Sequence, residues 1–444
     1  MGERKPNVVF VFSDQQRWDT LGVYGNPVVR TPNLDALARQ GVRFDNLFTT
    51  SPVCSPSRAS LLTGRYPHEH GVVVNNITLS PREISVAHAF KEHGYTTGYI
   101  GKWHLTDVGL PGFVPPEARL GFDHWFAFNR GHSKTFKGFR GDDPQLVEIP
   151  RYTTDVLVDE VISFIRRYKD RPFLLFCSIP DPHQPYSVRE PYASMYPPDE
   201  IPLPESFSQG PDDLPPAARD LFRLTQVRIR GMLEQGEART EREAFQKITS
   251  QYYGMISCID ENVGRILEEL RTLDLEEDTI FVYTSDHGDF MGAHHLLYKS
   301  LMYEEACKLP GIIRYPREVP SGLTIDELVS IIDFMPTLLE LAGLPVPKTV
   351  SGRSVVPLLR GEPVKWRDAL FMELGNSCAI RTKGWKYILH RDYPPEMYHL
   401  EEDPYELRNL ETVHVLCDNP DYVKMAENLR KRLVKWRKDR VDRQ

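Results

Sequence analysis

The sequence predicts an α/β protein: one large, mostly parallel sheet flanked by helices, followed by a smaller C-terminal α+β unit on an antiparallel sheet. Two observations support this. Uninterrupted apolar runs of strand length recur along most of the chain, each followed by a helix-like pattern, as suits strands buried on both faces beneath crossover helices. Beyond Gly343-Leu-Pro-Val-Pro347 the pattern changes to short strand signals and one amphipathic tail. The division this suggests is 1–345 for the large unit and 346–444 for the small one.

In chain order, the apolar run Asn7–Ser13 is the first strand, and Asn33–Gln40 follows as a helix. Arg58–Thr63 reads as a helix with Cys54 and Ser57 at its start. Ser85–His93 is a helix feeding the strand Thr96–Ile100, and Thr154–Tyr168 a helix feeding the strand Pro172–Ile179. From Pro197 to about Glu241 the composition turns to Pro, Asp, Glu and Arg, which reads as a long surface excursion that covers the site or meets another subunit. A long helix over Glu241–Leu273 carries Tyr253, Ile256, Ile259, Val263, Ile266 and Leu270 at spacings of three and four, a core-packing stripe. It leads to the strand Thr279–Thr284. In the small unit Ala369–Glu373, Ser377–Thr382 and Trp385–His390 read as strands. The tail Asp421–Arg437 reads as a closing helix with Val423, Met425, Leu429, Leu433 and Trp436 on its apolar side. No internal repeat stands out.

Hydrophobic residues at 41% and charged ones at 26% place the chain among soluble globular proteins. The net charge is −8, with Lys and Arg scattered among acids, so there is no nucleic-acid footprint. Any anion must be attracted by cations gathered locally at a site. The six cysteines (54, 177, 258, 307, 378 and 417) lie far apart with no C-x-x-C pair, which excludes a disulfide framework and a zinc ribbon. The first apolar run is too short for a signal-peptide core and ends in a carboxylate, and no later stretch approaches a membrane span. A cytoplasmic protein with no nucleic-acid or membrane partner is expected, and a homo-oligomer is left open.

In an open parallel sheet, ligands bind beyond the carboxyl ends of the strands. The four main apolar runs end in Asp14-Gln15, Gly101-Lys102-Trp103-His104, Asp181-Pro182-His183 and Ser285-Asp286-His287-Gly288-Asp289. Each alone reads as a solvated loop; four together make a site. Asp14, Gln15, Asp286 and His287 offer hard oxygens and one imidazole, suited to a divalent cation that does no redox work. Arg58, Lys102 and Lys299 are cations without acceptors, fit to hold a tetrahedral oxyanion. Cys54 at a helix N-terminus sits where an anion is favoured. His294-His295 read as loop residues, because adjacent side chains face different ways. Asn129–Lys134, Arg189 and the excursion are candidates for shaping the pocket.

Cys54-Ser-Pro-Ser-Arg58 with Leu62-Thr-Gly-Arg65, the strand-end motifs in this order, and the closing Leu400–Leu410 segment resemble the type I (formylglycine-dependent) sulfatases of the alkaline phosphatase superfamily. The resemblance implies an alkaline-phosphatase-like fold and a Cys54 oxidised to formylglycine by a maturation enzyme, the hydrate being the nucleophile. It implies one divalent ion, Ca²⁺ first with Mg²⁺ or Mn²⁺ as alternatives, bound by Asp14, Gln15, the modified Cys54, Asp286 and His287. By the same resemblance Arg58 steadies the hydrated aldehyde and His104 assists its regeneration. Lys102 and Lys299 grip the sulfate, Lys299 or His183 protonates the leaving alcohol, and Asn75 is a substrate-side amide. Two positions depart from many relatives: Gln15 stands where a second Asp is common, and His287 where Asn is common. Both variants resemble subgroups that include phosphonate monoester hydrolases, whereas the Lys102/His104 pair resembles sulfatases. The expected activity is hydrolysis of sulfate monoesters, of a carbohydrate or an aryl alcohol. The alternatives are a phosphonate or phosphate monoester hydrolase and, more remotely, a non-catalytic binding protein with a decayed site. A phosphomutase on the same fold would use Ser or Thr where this chain has Cys54.

Overall fold

The computed structural model describes residues 5–210, 214–411 and 419–441. Its strands are β1 (Asn7–Asp14), β2 (Val42–Phe44), β3 (Leu47–Phe48), β4 (Thr96–Lys102), β5 (His124–Phe128), β6 (Thr135–Arg140), β7 (Val147–Tyr152), β8 (Phe173–Pro182), β9 (Thr279–Ser285), β10 (Lys308–Leu309), β11 (Gly311–Arg314), β12 (Leu323–Ile325), β13 (Val329–Ser330), β14 (Ala369–Leu374), β15 (Ser377–Thr382), β16 (Trp385–Leu389) and β17 (Glu396–His399). Ten of them form one sheet in the order β12-β2-β11-β9-β1-β8-β4-β5-β6-β7. Its central five, β9-β1-β8-β4-β5, are parallel. Towards the edges β11 runs antiparallel to β9 and β2, and β6 runs antiparallel to β5 and β7.

The continuous hydrophobicity of β1 has a direct cause: alternate side chains face two different cores. Val9 and Val11 pack with Leu34 and Leu37 of the helix Pro32–Gln40, with Val161 and Ile165 of the helix Thr153–Tyr168, and with Ile259 and Val263 of the helix Glu241–Thr272. Val8, Phe10 and Phe12 face the other way. They pack with Ala59, Leu61 and Leu62 of the helix Cys54–Thr63, Phe90 of the helix Val86–Glu92, and Leu338 and Leu339 of the helix Phe334–Leu341. Each such side chain contributes about 1.5–3 kcal/mol by leaving water, so the central strands are held from both sides. The expected stripe on the long helix is buried at Ile256, Ile259, Val263, Ile266 and Leu270, with Tyr253 half-buried at its edge.

Register brings the functional ends level. Ser13 pairs with Ser285 of β9, and after an irregularity Asp14 pairs with Pro182 of β8. Gly101 pairs with Ser178, and Lys102 pairs with Phe128 of β5.

The surface excursion contains the helix Arg219–Glu234. Leu221, Ile229 and Met232 are buried on one side, while Leu224 and Val227 are exposed, so its apolar residues do not draw a clean stripe. The strands of two to four residues (β2, β3, β10 to β13 and β17) are too short to show a period.

In the C-terminal part β14 to β17 form an antiparallel sheet in sequence order, one strand more than the sequence suggests. The helix Pro420–Val441 closes it through Leu429, Leu433 and Trp436. Val355, Val356 and Leu359 pack into the core of the large sheet. Cys54, Cys177, Cys258, Cys307 and Cys378 are buried free thiols; Cys417 lies outside the described residues. Among the described residues no helix is long and apolar enough to cross a membrane.

Candidate active site

Cys54 is the first residue of the helix Cys54–Thr63, every residue of which is buried. Asn75 fixes this start: its Oδ1 accepts the Ser55 backbone N–H at 2.9 Å. The Cys54 Sγ lies 3.2 Å from His287 Nε2 and 3.8 Å from Asp14 Oδ1. Burial pushes the thiols of Cys177 (to about 12), Cys258, Cys307 and Cys378 up. Burial and Asp14 push Cys54 the same way, yet Lys102, Lys299 and His287 outweigh them and hold it well below its ordinary value. Position 54 thus differs from the other described cysteines in favouring an anion.

Asp14, Cys54, Asp286 and His287 are buried, and their donor atoms all lie within 4.8 Å of one another. Arg58 sets the two carboxylates, with Nε donating to Asp286 Oδ2 at 2.9 Å and Nη2 to Asp14 Oδ2 at 3.0 Å. Its Nη1 donates to Lys102 O at 2.8 Å and Ser178 Oγ at 2.6 Å, which locks the guanidinium between β4 and β8. Burial would raise Asp14, but Lys102, His183 and Arg58 hold it well below the carboxylate range; burial and the Asp14 charge push Asp286 up. Burial lowers the His287 imidazole, but Asp286 and Cys54 pull it up overall. Its Nδ1 lies 2.9 Å from Gly288 O and donates to it, so Nε2 is the nitrogen turned on the cluster. Two enclosed carboxylates, one short of positive charge, and an imidazole aimed between them fit a hard divalent cation. Gln15, expected with this set, donates its backbone N–H to Asp286 Oδ1 at 3.1 Å. Its amide oxygen takes Lys299 Nζ, and its Nε2 donates to Asp289 and, at 2.9 Å, to Gln184 Oε1.

Lys102 is fully enclosed, with Nζ on Asp14 Oδ2 and 2.9 Å from His132 Nε2. The His132 ring stacks on His183 at 3.5 Å between centroids and 5° between planes. Burial and Lys102 push His132 down to about 4, and burial, Lys299 and His132 push His183 down as well. His183 Nδ1 donates to Gln184 O at 2.8 Å, so the neutral ring carries its lone pair on Nε2. His104, at φ +57°, is lowered by burial and Lys102. Its Nε2 lies 3.3 Å from Asn76 Oδ1 and its Nδ1 is buried without a partner, so the neutral ring presents Nδ1 as a base. Positive φ at Gln15 (+71°) and His104 places backbone strain of about 1–3 kcal/mol each beside the chemistry.

The structure therefore gathers Asp14, Cys54, Arg58, Lys102, Asp286 and His287 in one contact network, with Gln15, Asn75, His104, His183 and Lys299 around it. Sequence reasoning assigned no role to Asn76, Ser178 and Asp289, and saw His132 only as part of a pocket loop. Asp289 carried a signal, since it closes the strand-end motif Ser285–Asp289; the others carried none. His294 and His295 belong to the scaffold: they bond Gln209 Oε1 at 2.6 Å and Glu241 Oε2 at 3.0 Å and tie down the excursion. Arg189 pairs with Asp155 at 2.5 Å.

Position 54 between two carboxylates, an imidazole and three cations, at the carboxyl ends of parallel strands, fits a hydrolase of anionic esters with room for a metal. The chain belongs to the sulfatase family and is a sulfuric ester hydrolase: the Sulfatase family model matches residues 6–344, and the model "N-sulphoglucosamine sulphohydrolase, C-terminal" matches 292–439. It is 33% identical to an ulvan-active sulfatase of Formosa agariphila, over 91% of this chain and 77% of that protein. A protein solved in complex with its substrate D-glucosamine-2-N,6-O-disulfate superposes with a TM-score of 0.85, at 27% identity and covering 99% of each chain. The phosphonate monoester hydrolase of Silicibacter pomeroyi shares the fold, with a TM-score of 0.82 at 24% identity over 98% of this chain and 95% of that one.

Proposed function

We propose that this sulfatase releases sulfate from a carbohydrate sulfate ester, with Cys54 matured to formylglycine and one divalent cation, Ca²⁺ ahead of Mg²⁺ or Mn²⁺, held by Asp14, Asp286, His287 and residue 54. The observation that supports it best is Cys54 itself: a buried helix-start residue kept acidic by Lys102, Lys299 and His287 beside two carboxylates. Two relatives, one ulvan-active and one holding a sulfated glucosamine, support a sugar as the alcohol, as does the polar rim Asn129–Lys134.

When present, the cation and the aldehyde hydrate supply charge neutralisation at the sulfate oxygens and a nucleophilic hydroxyl. The chain's own residues do the rest. Arg58 holds Asp14 and Asp286 in one orientation, so the donor set needs no rearrangement. Lys102 and Lys299 place positive charge where the nonbridging oxygens gain electron density. Lys299 or His183 is the acid for the departing alcohol; burial and the neighbouring Lys299 and His132 lower the His183 pKa, which favours Lys299. His104 accepts a proton at Nδ1 from the hydroxyl on residue 54, allowing sulfate to leave.

The test compares an aryl sulfate with an aryl phosphonate monoester sharing one leaving group, and then a panel of sulfated sugars, using matured enzyme. Higher kcat/KM on the sulfate, and turnover of sugars, is expected. Preference for the phosphonate moves the assignment to the phosphonate and phosphate monoester hydrolases.

A further inference from the structure

Arg130 follows β5 on a loop fixed at both ends. Its backbone N–H donates to Pro111 O at 3.2 Å, and the neighbouring Asn129 side chain donates to Thr106 O at 3.0 Å and Val108 O at 2.8 Å. At the far end Thr153 donates through its backbone N–H to Lys134 O at 2.9 Å and through Oγ1 to Ser133 O at 2.7 Å. The guanidinium connects to the site. Nη1 donates to Asn76 Oδ1 at 2.6 Å, that oxygen lies 3.3 Å from His104 Nε2, and His104 in turn faces Cys54. Arg130 Nε is buried and has no partner. A guanidinium carries five donors in a planar fork, and one amide oxygen cannot use them. Beside it opens a cleft of about 190 Å³ lined by Leu110, Pro111, Phe128, Gly131 and Lys137, the last already paired with Glu148 at 2.9 Å. Leu110 stands exposed at the rim.

We propose that Arg130 is a specificity-determining residue that binds a second anionic substituent, a carboxylate or a further sulfate, on the sugar whose sulfate ester is cleaved at residue 54. The sugar's apolar face lies on Leu110 and Pro111. This rests on the carbohydrate-sulfate reading above. The guanidinium donors that Asn76 leaves unused match the planar or tetrahedral oxyanion of either substituent. On a chain of net charge −8, a dianionic sugar needs a second local cation apart from the pair that holds the reacting sulfate. A singly charged sugar forgoes this contact.

The experiment measures kcat/KM for matured wild type, Arg130→Gln and Arg130→Lys on four substrates: 4-nitrophenyl sulfate, a monosulfated aminosugar, its disulfated counterpart and a sulfated uronic acid. Wild type should prefer a dianionic sugar, and which of the two it prefers separates sulfate from carboxylate. Arg130→Gln should lower the dianionic-to-monoanionic ratio at least tenfold, mainly through KM. Arg130→Lys, which keeps the charge but loses the fork, should fall between and serves if the Gln variant does not fold. An unchanged ratio, or wild-type preference for the monoanionic sugar, overturns the assignment of Arg130 and leaves the carbohydrate reading standing. Turnover of 4-nitrophenyl sulfate with none of the sugars overturns both. No turnover of any sulfate ester overturns the sulfatase reading itself.

Discussion

Asp286 is bonded on every side: Oδ2 accepts Arg58 Nε at 2.9 Å, and Oδ1 accepts the backbone N–H of Gln15 at 3.1 Å and of His287 at 2.8 Å. At a strand end it reads in the sequence as a residue whose loss spares the fold. Its complete enclosure changes that expectation, because removing it leaves the buried Arg58 Nε without an acceptor, with Asp14 as the remaining carboxylate partner. Asp286→Ala should therefore cost about 1–3 kcal/mol of stability besides abolishing activity. Urea unfolding of the two proteins at neutral pH checks this, and equal midpoints would show that Arg58 finds other partners. Cys54 gives a second expectation. After maturation its peptide should be lighter by roughly 18 Da, and Cys54→Ala should be inactive whatever the host. Full activity with an intact thiol would remove the proposed nucleophile. Asp14, Cys54, Lys102, Asp286 and His287 were legible because each ends an apolar run or starts a helix, and strand ends converge in this class of fold. His132 and Asn76 were not legible as site residues. Their partners Lys102 and His104 lie about thirty residues away across loops, where no periodicity links position in sequence to position in space.

The elements set these positions by how closely they approach. Gly101 in β4 has φ +109°, and a Cβ there would lie 2.0 Å from Ser178 O of β8, its register partner. Glycine is required on both counts. Gly101→Ala should cost about 1–3 kcal/mol in strain. By shifting Lys102 against Asp14 it should also lower kcat by about a hundredfold, the usual effect of a 1 Å misplacement. Retained kcat in the folded variant would mean that the strand end tolerates movement. A second device lies on the helix Thr153–Tyr168. Glu160 receives Arg140 of β6 at 2.7 and 2.8 Å and His124 of β5 at 3.1 Å. Burial pushes its carboxyl up, but His124 and Arg140 bring it down to about 2 from an ordinary 4.5. A depressed folded pKa stabilises fully above the unfolded value, and that stability is lost as pH falls from 4.5 towards 2. The melting-temperature gap between wild type and Glu160→Gln should thus be widest near neutrality and shrink below pH 4.5. A gap that ignores pH would place the loss in packing instead. The long strands and helices were legible from their apolar periods, whereas β5 to β7 were not: β5 is only five residues long, and β6 and β7 lie towards one edge where exposed residues interrupt the apolar ones.

At the scale of the whole molecule, the proposed catalytic groups come from residues 14–299, yet the C-terminal sheet supports the segment that carries the last of them. Leu370, Met372, Ala379, Ile388 and Tyr398 of that sheet pack against Phe290, Leu296, Leu301, Met302 and Tyr303, on either side of Lys299. Within this apolar seam lies a buried ionic cluster. Lys386 of β16, fully enclosed, pairs with Glu304 at 2.9 Å and Glu406 at 2.7 Å, and Arg381 of β15 pairs with Glu304 at 3.1 Å. Glu406 also accepts the Glu304 backbone N–H at 2.7 Å, so the cluster joins the two segments through main chain as well as side chain. In the sequence Lys386 reads as one more surface lysine in an alternating strand; only the docking of two distant segments buries it. Lys386→Met keeps the bulk and removes the charge, leaving two glutamates without their shared cation. A cost of about 3–5 kcal/mol is expected. Neutralising Glu406 in the same chain, Glu406→Gln, should recover much of it, because Glu304 keeps Arg381 and what destabilises is the unpaired charge and not the lost bond. Kinetics taken where circular dichroism shows each variant fully folded then separate support from stability. If the sheet positions the Lys299 segment, Lys386→Met lowers kcat even when folded, and wild-type kcat in the folded variant would confine the cluster to stability.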